Sequence, residues 1–289
     1  MTGRYQIVQL ASGAHSVRSL DFNETFHPVI GPVAEARALY VEQLGLPDRI
    51  RASREEFVVW DVGLGAAANP LTLLDALPPG DHRVRIVSFD ATVQPLEFAL
   101  GHPEKLPFLT AWRGPLDELL AKERVSFRTP SGAGVLWELH TGDFPSMLES
   151  AGAECWPKPH AIFYDAYSPA TNAEMWTVGV FRAMYRLLDP RRGCAMPTYS
   201  RSTMLRTTLL LAGFFVGRGH ATGEKEETTI AANRLELVQE PLDSNWLERV
   251  RRSTSAEPLS APPYRQAPLS EESWRLLKQH PQFSTAKNY

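Results

Sequence analysis

The sequence predicts an α/β fold: a doubly wound, mostly parallel sheet that ends in an antiparallel hairpin. Three observations carry this. From residue 57 onward, short apolar runs alternate with helical patterns, as strand–helix units do. Those runs are nearly continuous in apolar residues, which suits strands buried on both faces. The last two runs are joined by a loop too short for a crossover, so they must be antiparallel.

The elements follow in order. Tyr5–Leu10 and Ser16–Phe22, separated by Ala11–His15, read as a hairpin, and Ala34–Leu46 as a helix. The parallel strands are Phe57–Asp61, Val84–Asp90, Val135–His140, Ala161–Asp165 and Cys194–Tyr199, the last weakened by Pro197. Thr171 and Glu174 fit a capping box, with Trp176, Val180, Met184 and Leu187 as the packing stripe behind it. That helix stops at Asp189-Pro190. A further helix, about Ser202–Ala212, closes at Gly213. The hairpin is Phe214–Gly219, a polar turn around Gly223, and Thr228–Ala232. The expected organisation is an extension over residues 1–56, a domain over 57–240, and a tail over 241–289. The tail is rich in Pro and Ser, with a short helix at Glu271–Gln279.

Composition narrows the function classes. A net charge of −3 over 289 residues does not advertise nucleic-acid binding, although a neutral total can hide a local basic face. The only two cysteines, Cys155 and Cys194, suit a reducing compartment. No His/Cys cluster has metal spacing, so no metal is expected. No apolar run is long enough for a signal peptide or a membrane span, so the expected location is cytoplasmic, away from membranes.

The candidate chemistry sits at strand ends, where open α/β sheets bind ligands. The first strand ends in Asp61-Val62-Gly63-Leu64-Gly65, followed by Ala66-Ala67-Ala68-Asn69-Pro70. Glycines there let the backbone approach a ligand, although a tight turn without a ligand reads the same way. Asp90, roughly 25 residues on, can accept ribose hydroxyls or merely cap a helix. Asp143 can accept from an adenine amino group, with Phe144 as an apolar wall. A parallel sheet finished by an antiparallel hairpin is the arrangement of class I, Rossmann-like methyltransferases and not of a plain dinucleotide fold. Gly63 and Gly65 would then lie under the carboxyl-to-sulfur arm of S-adenosyl-L-methionine. Asp165 would stand beside the sulfonium, where a carboxylate can orient an acceptor amine or take its proton.

Three strings, FYDAYSPATNAEMW (Phe163–Trp176), DVGLGAAANPLTL (Asp61–Leu73) and LHTGDF (Leu139–Phe144), resemble the methyltransferase domain of the MnmC family. The resemblance extends over about residues 16–235, from FNETFHPVIGPVAEARALYV (Phe22–Val41) to GRGHATGEKEETTIAAN (Gly217–Asn233). It implies a tRNA-modifying enzyme that converts 5-aminomethyl-2-thiouridine to 5-methylaminomethyl-2-thiouridine at the wobble position, leaving S-adenosyl-L-homocysteine. It implies Asp165 as base or amine-orienting residue. Glu35, Gly63, Gly65, Asn69, Asp90, Asp143 and Phe144 are the expected donor-binding set, with the segment around Glu35 covering the donor. The family's FAD-dependent oxidase domain has no counterpart in this sequence, so a stand-alone methyltransferase without FAD is expected, with a separate oxidase supplying the precursor.

The sequence departs from the family in two places. Relatives usually carry G-x-G-T-G-x-N where this chain has Gly63-Leu64-Gly65-Ala66-Ala67-Ala68-Asn69, which removes a hydroxyl and some backbone freedom. Relatives place basic residues in the final hairpin, whereas Gly223-Glu224-Lys225-Glu226-Glu227 is acidic overall. Arg218, Lys225 and the Arg249, Arg251, Arg252 cluster are the remaining cations nearby in sequence, for phosphate contact or simply as a solvated face. Two alternatives stand beside the tRNA reading: the same donor with another RNA or a small amine, and a non-catalytic or NAD-binding Rossmann protein.

Overall fold

A computed structural model describes residues 4–222 and 226–284. The chain divides into two compact units: Met1–Phe144 with Ala161–Asp165 and Ala221–Glu226, and Pro145–His160 with Ala166–His220 and Glu227–Tyr289.

The first unit opens with a small antiparallel sheet of β1 (Tyr5–Gln9), β2 (His15–Ser19) and β3 (Glu24–Thr25). The predicted N-terminal hairpin is its first two strands, and β3 is an addition. The helix read over Ala34–Leu46 is three pieces: α1 (Pro32–Ala36), a π-helical stretch over Arg37–Glu42, and α2 (Leu46–Ala52). Gly45, at φ 56°, separates the last two. The π-helical stretch carries Tyr40, whose hydroxyl donates to the carbonyl of Tyr164 at 3.1 Å and whose ring packs on Phe163. Such π segments often mark functional regions.

Beyond it run β4 (Phe57–Val62), α3 (Ala68–Asp75), β5 (Arg83–Asp90), α4 (Gln94–Leu100), α5 (Arg113–Lys122), β6 (Arg124–Arg128), β7 (Gly134–Thr141) and β8 (Ala161–Tyr164). Their order is β8-β4-β5-β7-β6, parallel except for the antiparallel β6–β7 pair. Every residue of β4 and β8 is buried. Each large apolar side chain so placed contributes about 1.5–3 kcal/mol. The four predicted strands of this unit are present, each within one residue of its expected ends. The sequence reading missed β6, an edge strand whose Val125 and Phe127 alternate with Arg124, Ser126 and Arg128.

The second unit holds α6 (Phe144–Glu149, its first residue counted with the first unit), α7 (Val178–Leu187), β9 (Ala195–Thr198), α8 (Thr203–Ala212), β10 (Phe215–Gly219), β11 (Thr228–Ala232), β12 (Glu240–Pro241), α9 (Ser244–Val250), α10 (Glu271–Lys278) and α11 (Pro281–Ser284). β9, β11, β10 and β12 pair antiparallel in that order, which confirms the terminal hairpin. The turn around Gly223 lies outside the described residues.

The expected capping box is a correction. Thr171 does not cap a helix; Ala173–Trp176 is a 3-10 turn, and the cap of α7 is Thr177, whose hydroxyl accepts from the Val180 amide. The stripe Trp176, Val180, Met184 and Leu187 is buried as predicted. α8 ends at Gly213 in the left-handed region, as its glycine suggested. The tail packs within this unit: Val178 N–H donates to the Leu259 carbonyl at 2.8 Å, and Gln282 accepts the Val216 amide at 2.8 Å. Among the described residues, no helix is long and apolar enough to cross a membrane.

Candidate functional site

The C-terminal ends of β4, β5, β7 and β8 stand level. Val62 pairs with both Phe89 and Tyr164, and Asp90 pairs with Thr141. Backbone bonds continue past the strands: Gly63 N–H to the Phe89 carbonyl, Gly142 N–H to the Asp90 carbonyl, and Asp165 N–H to the Val62 carbonyl, each 2.9 Å. The predicted residues Gly63, Gly65, Asp90, Asp143 and Asp165 therefore leave four adjacent strand ends together.

The glycine turn needs its glycines. Gly63 and Gly65 have φ of 96° and 52°, a region that side chains rarely adopt. A Cβ on Gly65 would also stand 3.3 Å from the Phe26 ring, so the N-terminal segment lies on this turn. Ala67 also holds a left-handed conformation, at φ 61°, in the place where the resembled pattern expects its third glycine. Asp90 accepts the Gly65 amide at 2.9 Å and the Thr92 amide at 3.2 Å, which fixes its carboxylate under the turn. Burial raises its pKa, while those amides with Ala91 and Leu64 hold it back. Asp143 is exposed, and Phe144 is buried with its ring 5.0 Å from that of Phe89.

Asp165 is the centre of a second cluster. Its Oδ2 accepts from Asn69 Nδ2 at 2.9 Å and pairs with His27 Nε2 at 3.0 Å. His27 Nε2 lies 3.2 Å from Asn69 Oδ1, which closes a three-membered ring of contacts. Both polar atoms of Asn69, read from the sequence as a donor-binding residue, are engaged in this ring. Burial alone would push His27 down, but the charge and hydrogen bond of Asp165, the charge of Glu35 and the bond from Asn69 outweigh it and raise His27 to about 9. Glu35 is buried on α1 beside this cluster.

Asp61 completes the picture. It is fully buried at the end of β4, and its Oδ2 accepts from Ser88 Oγ at 2.7 Å, which in turn accepts from Trp137 Nε1 at 2.9 Å. Its Oδ1 has no hydrogen-bond partner among the described residues. Burial pushes this carboxyl up to about 7 against the pull of Ser88, and Asp165 and Asp90 add to the rise. A buried, half-satisfied carboxylate is costly unless a cation meets it. The α-ammonium of S-adenosyl-L-methionine is such a cation. Together with the bare backbone of the glycine turn, this fits the donor to the residues present.

Sequence reasoning missed two residues. His27 stood within a quoted string but had no role assigned. Asp61 was named only as a strand end, although an aspartate within the otherwise apolar run Phe57–Val62 is itself a signal worth following. The expected cations of the tail are partly spoken for: Arg251 pairs with Glu271 and lies over the Trp274 ring. In the final hairpin, Glu227 is held by Arg206 at 3.1 Å and Arg218 at 3.3 Å, so one of its carboxylates is neutralised. Glu226 is exposed, while Glu224 and Lys225 lie outside the described residues.

Residues 112–234, which include Asp143 and Asp165 but not the glycine turn, match the family model described as S-adenosyl-L-methionine-dependent methyltransferase. The chain is 27% identical over 235 residues to the tRNA 5-methylaminomethyl-2-thiouridine biosynthesis bifunctional protein MnmC of Polaromonas naphthalenivorans, covering 78% of this chain and 35% of that protein. It is 31% identical over 229 residues to the protein of the same name from Cupriavidus metallidurans, covering 73% and 31% respectively. The chain thus spans about a third of the length of these curated relatives. In fold it is similar to the crystal structure of MNMC2 from Aquifex aeolicus, with a TM-score of 0.64 at 20% identity over 96% of this chain and 83% of that one. With its large, mostly parallel sheet and antiparallel terminal hairpin, the chain is an S-adenosyl-L-methionine-dependent methyltransferase related to the methyltransferase domain of MnmC.

Proposed function

We propose that the chain methylates the exocyclic amine of 5-aminomethyl-(2-thio)uridine at the tRNA wobble position. The observation that carries this is Asp165, held by His27 and Asn69 at the strand ends beside the glycine turn. The names of the relatives, which place them in tRNA 5-methylaminomethyl-2-thiouridine biosynthesis, support the choice of acceptor. When bound, the donor supplies an electrophilic methyl group on a sulfonium. Asp61 Oδ1 would meet its ammonium, Gly63 and Gly65 would admit its methionine arm, Asp90 would accept from the ribose, and Asp143 and Phe144 would line the adenine. Glu35 and the Phe26–His27 segment cover the site, the role assigned here to the extension over residues 1–56. Asp165 accepts an N–H of the acceptor amine and turns its lone pair toward the methyl group. Together Asp61, Asp90, Asp165 and Glu35 favour a cationic donor and an amine acceptor over an anionic one.

On this reading the enzyme works in the cytoplasm on tRNA, with a separate oxidase supplying the aminomethyl precursor. The exposed Glu226 favours a second reading, a small amine or another RNA as acceptor. Incubation with labelled donor and tRNA bearing aminomethyl-uridine separates the two. Label in the wobble nucleoside is expected; label in small amines but never in tRNA rejects the proposal.

A further inference from the structure

His27 is built into the site at some conformational cost. It adopts φ 47°, a left-handed conformation that persists in a non-glycine residue where its surroundings over-determine it. Its side chain is 10% exposed, and its Nε2 faces Asp165 Oδ2 and Asn69 Oδ1. Its Nδ1 is buried with no hydrogen-bond partner among the described residues. The charged and polar groups around it are Asp165 after β8, Asn69 on α3, Glu35 on α1 and Asp61 on β4, three carboxylates and an amide. No second cation offsets Asp165 in that set.

We propose that His27 is a positioning residue for methyl transfer. With Asn69 it clamps one oxygen of Asp165, so that the carboxylate meets the acceptor amine as a fixed hydrogen-bond acceptor and not as its base. This rests on the amine-methylating function proposed above. A carboxylate that already accepts two hydrogen bonds, one from a cationic ring, holds its ionised form and resists taking a proton. The amine therefore reacts as the free base. Its nitrogen gains the methyl carbon, the carbon–sulfur electron pair stays on sulfur, and the product leaves as a secondary ammonium that passes its extra proton to water. The elevated His27 ionisation, about 9, agrees with a ring that stays protonated while this happens.

The test uses the full chain. Histidine-labelled protein is titrated by NMR, with the His27 signal assigned by its loss in His27→Gln. In the wild type His27 should titrate above pH 8, and in Asp165→Asn below pH 7. Turnover on tRNA bearing aminomethyl-uridine should fall more than tenfold in His27→Ala, with S-adenosylhomocysteine affinity within threefold of wild type. His27→Gln, which keeps an N–H donor, should recover at least threefold of that loss. The proposal is overturned by an ordinary His27 titration near pH 6.5, by one indifferent to Asp165→Asn, or by wild-type turnover in both His27 variants. Parallel loss of donor affinity and turnover in both variants, the mark of a merely structural residue, also overturns it. The titration needs no acceptor. A wild-type enzyme that leaves tRNA unlabelled sinks the acceptor reading and this proposal with it, whereas an ordinary titration sinks this proposal alone.

Discussion

Asp61 offers the sharpest test of donor binding, because its ionisation and its unmet oxygen make the same demand. In the free protein burial holds this carboxyl near 7 instead of its ordinary 3.8. The acid form is therefore favoured by folding: its contribution to stability is full below about pH 4 and is lost as pH rises through about 7. Between those limits the shift is worth about 4 kcal/mol at most. An ammonium placed on Oδ1 reverses the preference, so binding must release the proton. With ionisation near 7, linkage predicts roughly 25-fold weaker S-adenosylhomocysteine binding at pH 5.5 than at pH 7.5. Asp61→Asn keeps the shape and the Ser88 contact but cannot carry the charge. It should bind about 10- to 100-fold more weakly at pH 8, the loss of one charge-assisted hydrogen bond, and keep only such pH dependence as Asp90 contributes. It should also lose Asp61's share of the decline in thermal stability between pH 4 and 7, leaving the part that the raised Asp90 contributes. Isothermal calorimetry at four pH values, with melts of both proteins, reads all three quantities. Wild-type affinity that is flat with pH, or a variant that titrates in parallel with wild type, refutes the reasoning.

Three further outcomes are expected. Asp165→Ala should keep S-adenosylhomocysteine affinity within a few-fold while turnover falls about 100-fold, the scale of a lost orienting contact; unchanged single-turnover rates remove Asp165 from the chemistry. Ala67→Gly relieves about 1–2 kcal/mol of left-handed strain but loses a buried methyl and adds unfolded-state freedom. It should come out near neutral in urea unfolding, at least about 1 kcal/mol milder than Ala68→Gly one position into α3; equal losses contradict the strain argument. Thr177→Ala should cost about 1 kcal/mol as a lost helix cap and Thr171→Ala close to nothing, and the reverse order in denaturant midpoints would restore the capping box the sequence suggested.

Much of the fold was legible because periodicity is a local property. Phe57–Val62 and Ala161–Tyr164 are buried throughout, and such runs announce parallel strands without any knowledge of their partners. The edge strand β6 escaped because it is five residues long and three of them are polar. The capping box failed on a different ground. Two threonines six positions apart both suit a cap, and which one starts the helix depends on packing that no local pattern reports. One such constraint is visible: Trp176 Nε1 donates to the Tyr167 carbonyl at 2.6 Å, which ties the 3-10 turn back on itself before α7 begins. The site was half legible. Strand ends found Asp90, Asp143 and Asp165, since open sheets bind ligands there. His27 could not be found in this way. Its partners Asn69 and Asp165 lie 42 positions away from it and a further 96 beyond that, and only the fold brings the three together.

The altered glycine motif illustrates how sequence and structure divide the work. Read as letters, Ala66-Ala67-Ala68 departs from the resembled pattern by a threonine and the third glycine, a change that would dismantle a turn built on glycine alone. Read as backbone, φ is positive at Gly63, Gly65 and Ala67 alike, so Ala67 takes the conformation a glycine would take there, at the cost of some strain. What fixes that path is not the third glycine but the contacts around it: the Gly63 amide on Phe89, the Gly65 amide on Asp90 and the Ala67 amide on Leu64. Two are backbone–backbone bonds and the Gly65 amide donates to the Asp90 carboxylate, and together they offset the strain of one alanine methyl. The same logic explains why Asn69 matters beyond the motif. Placed at the start of α3 by that turn, it donates to Asp165 at 2.9 Å, so the glycine turn and Asp165 are tied together by one side chain. On the function proposed above, a change in the turn would be felt at Asp165 through Asn69, which touches both.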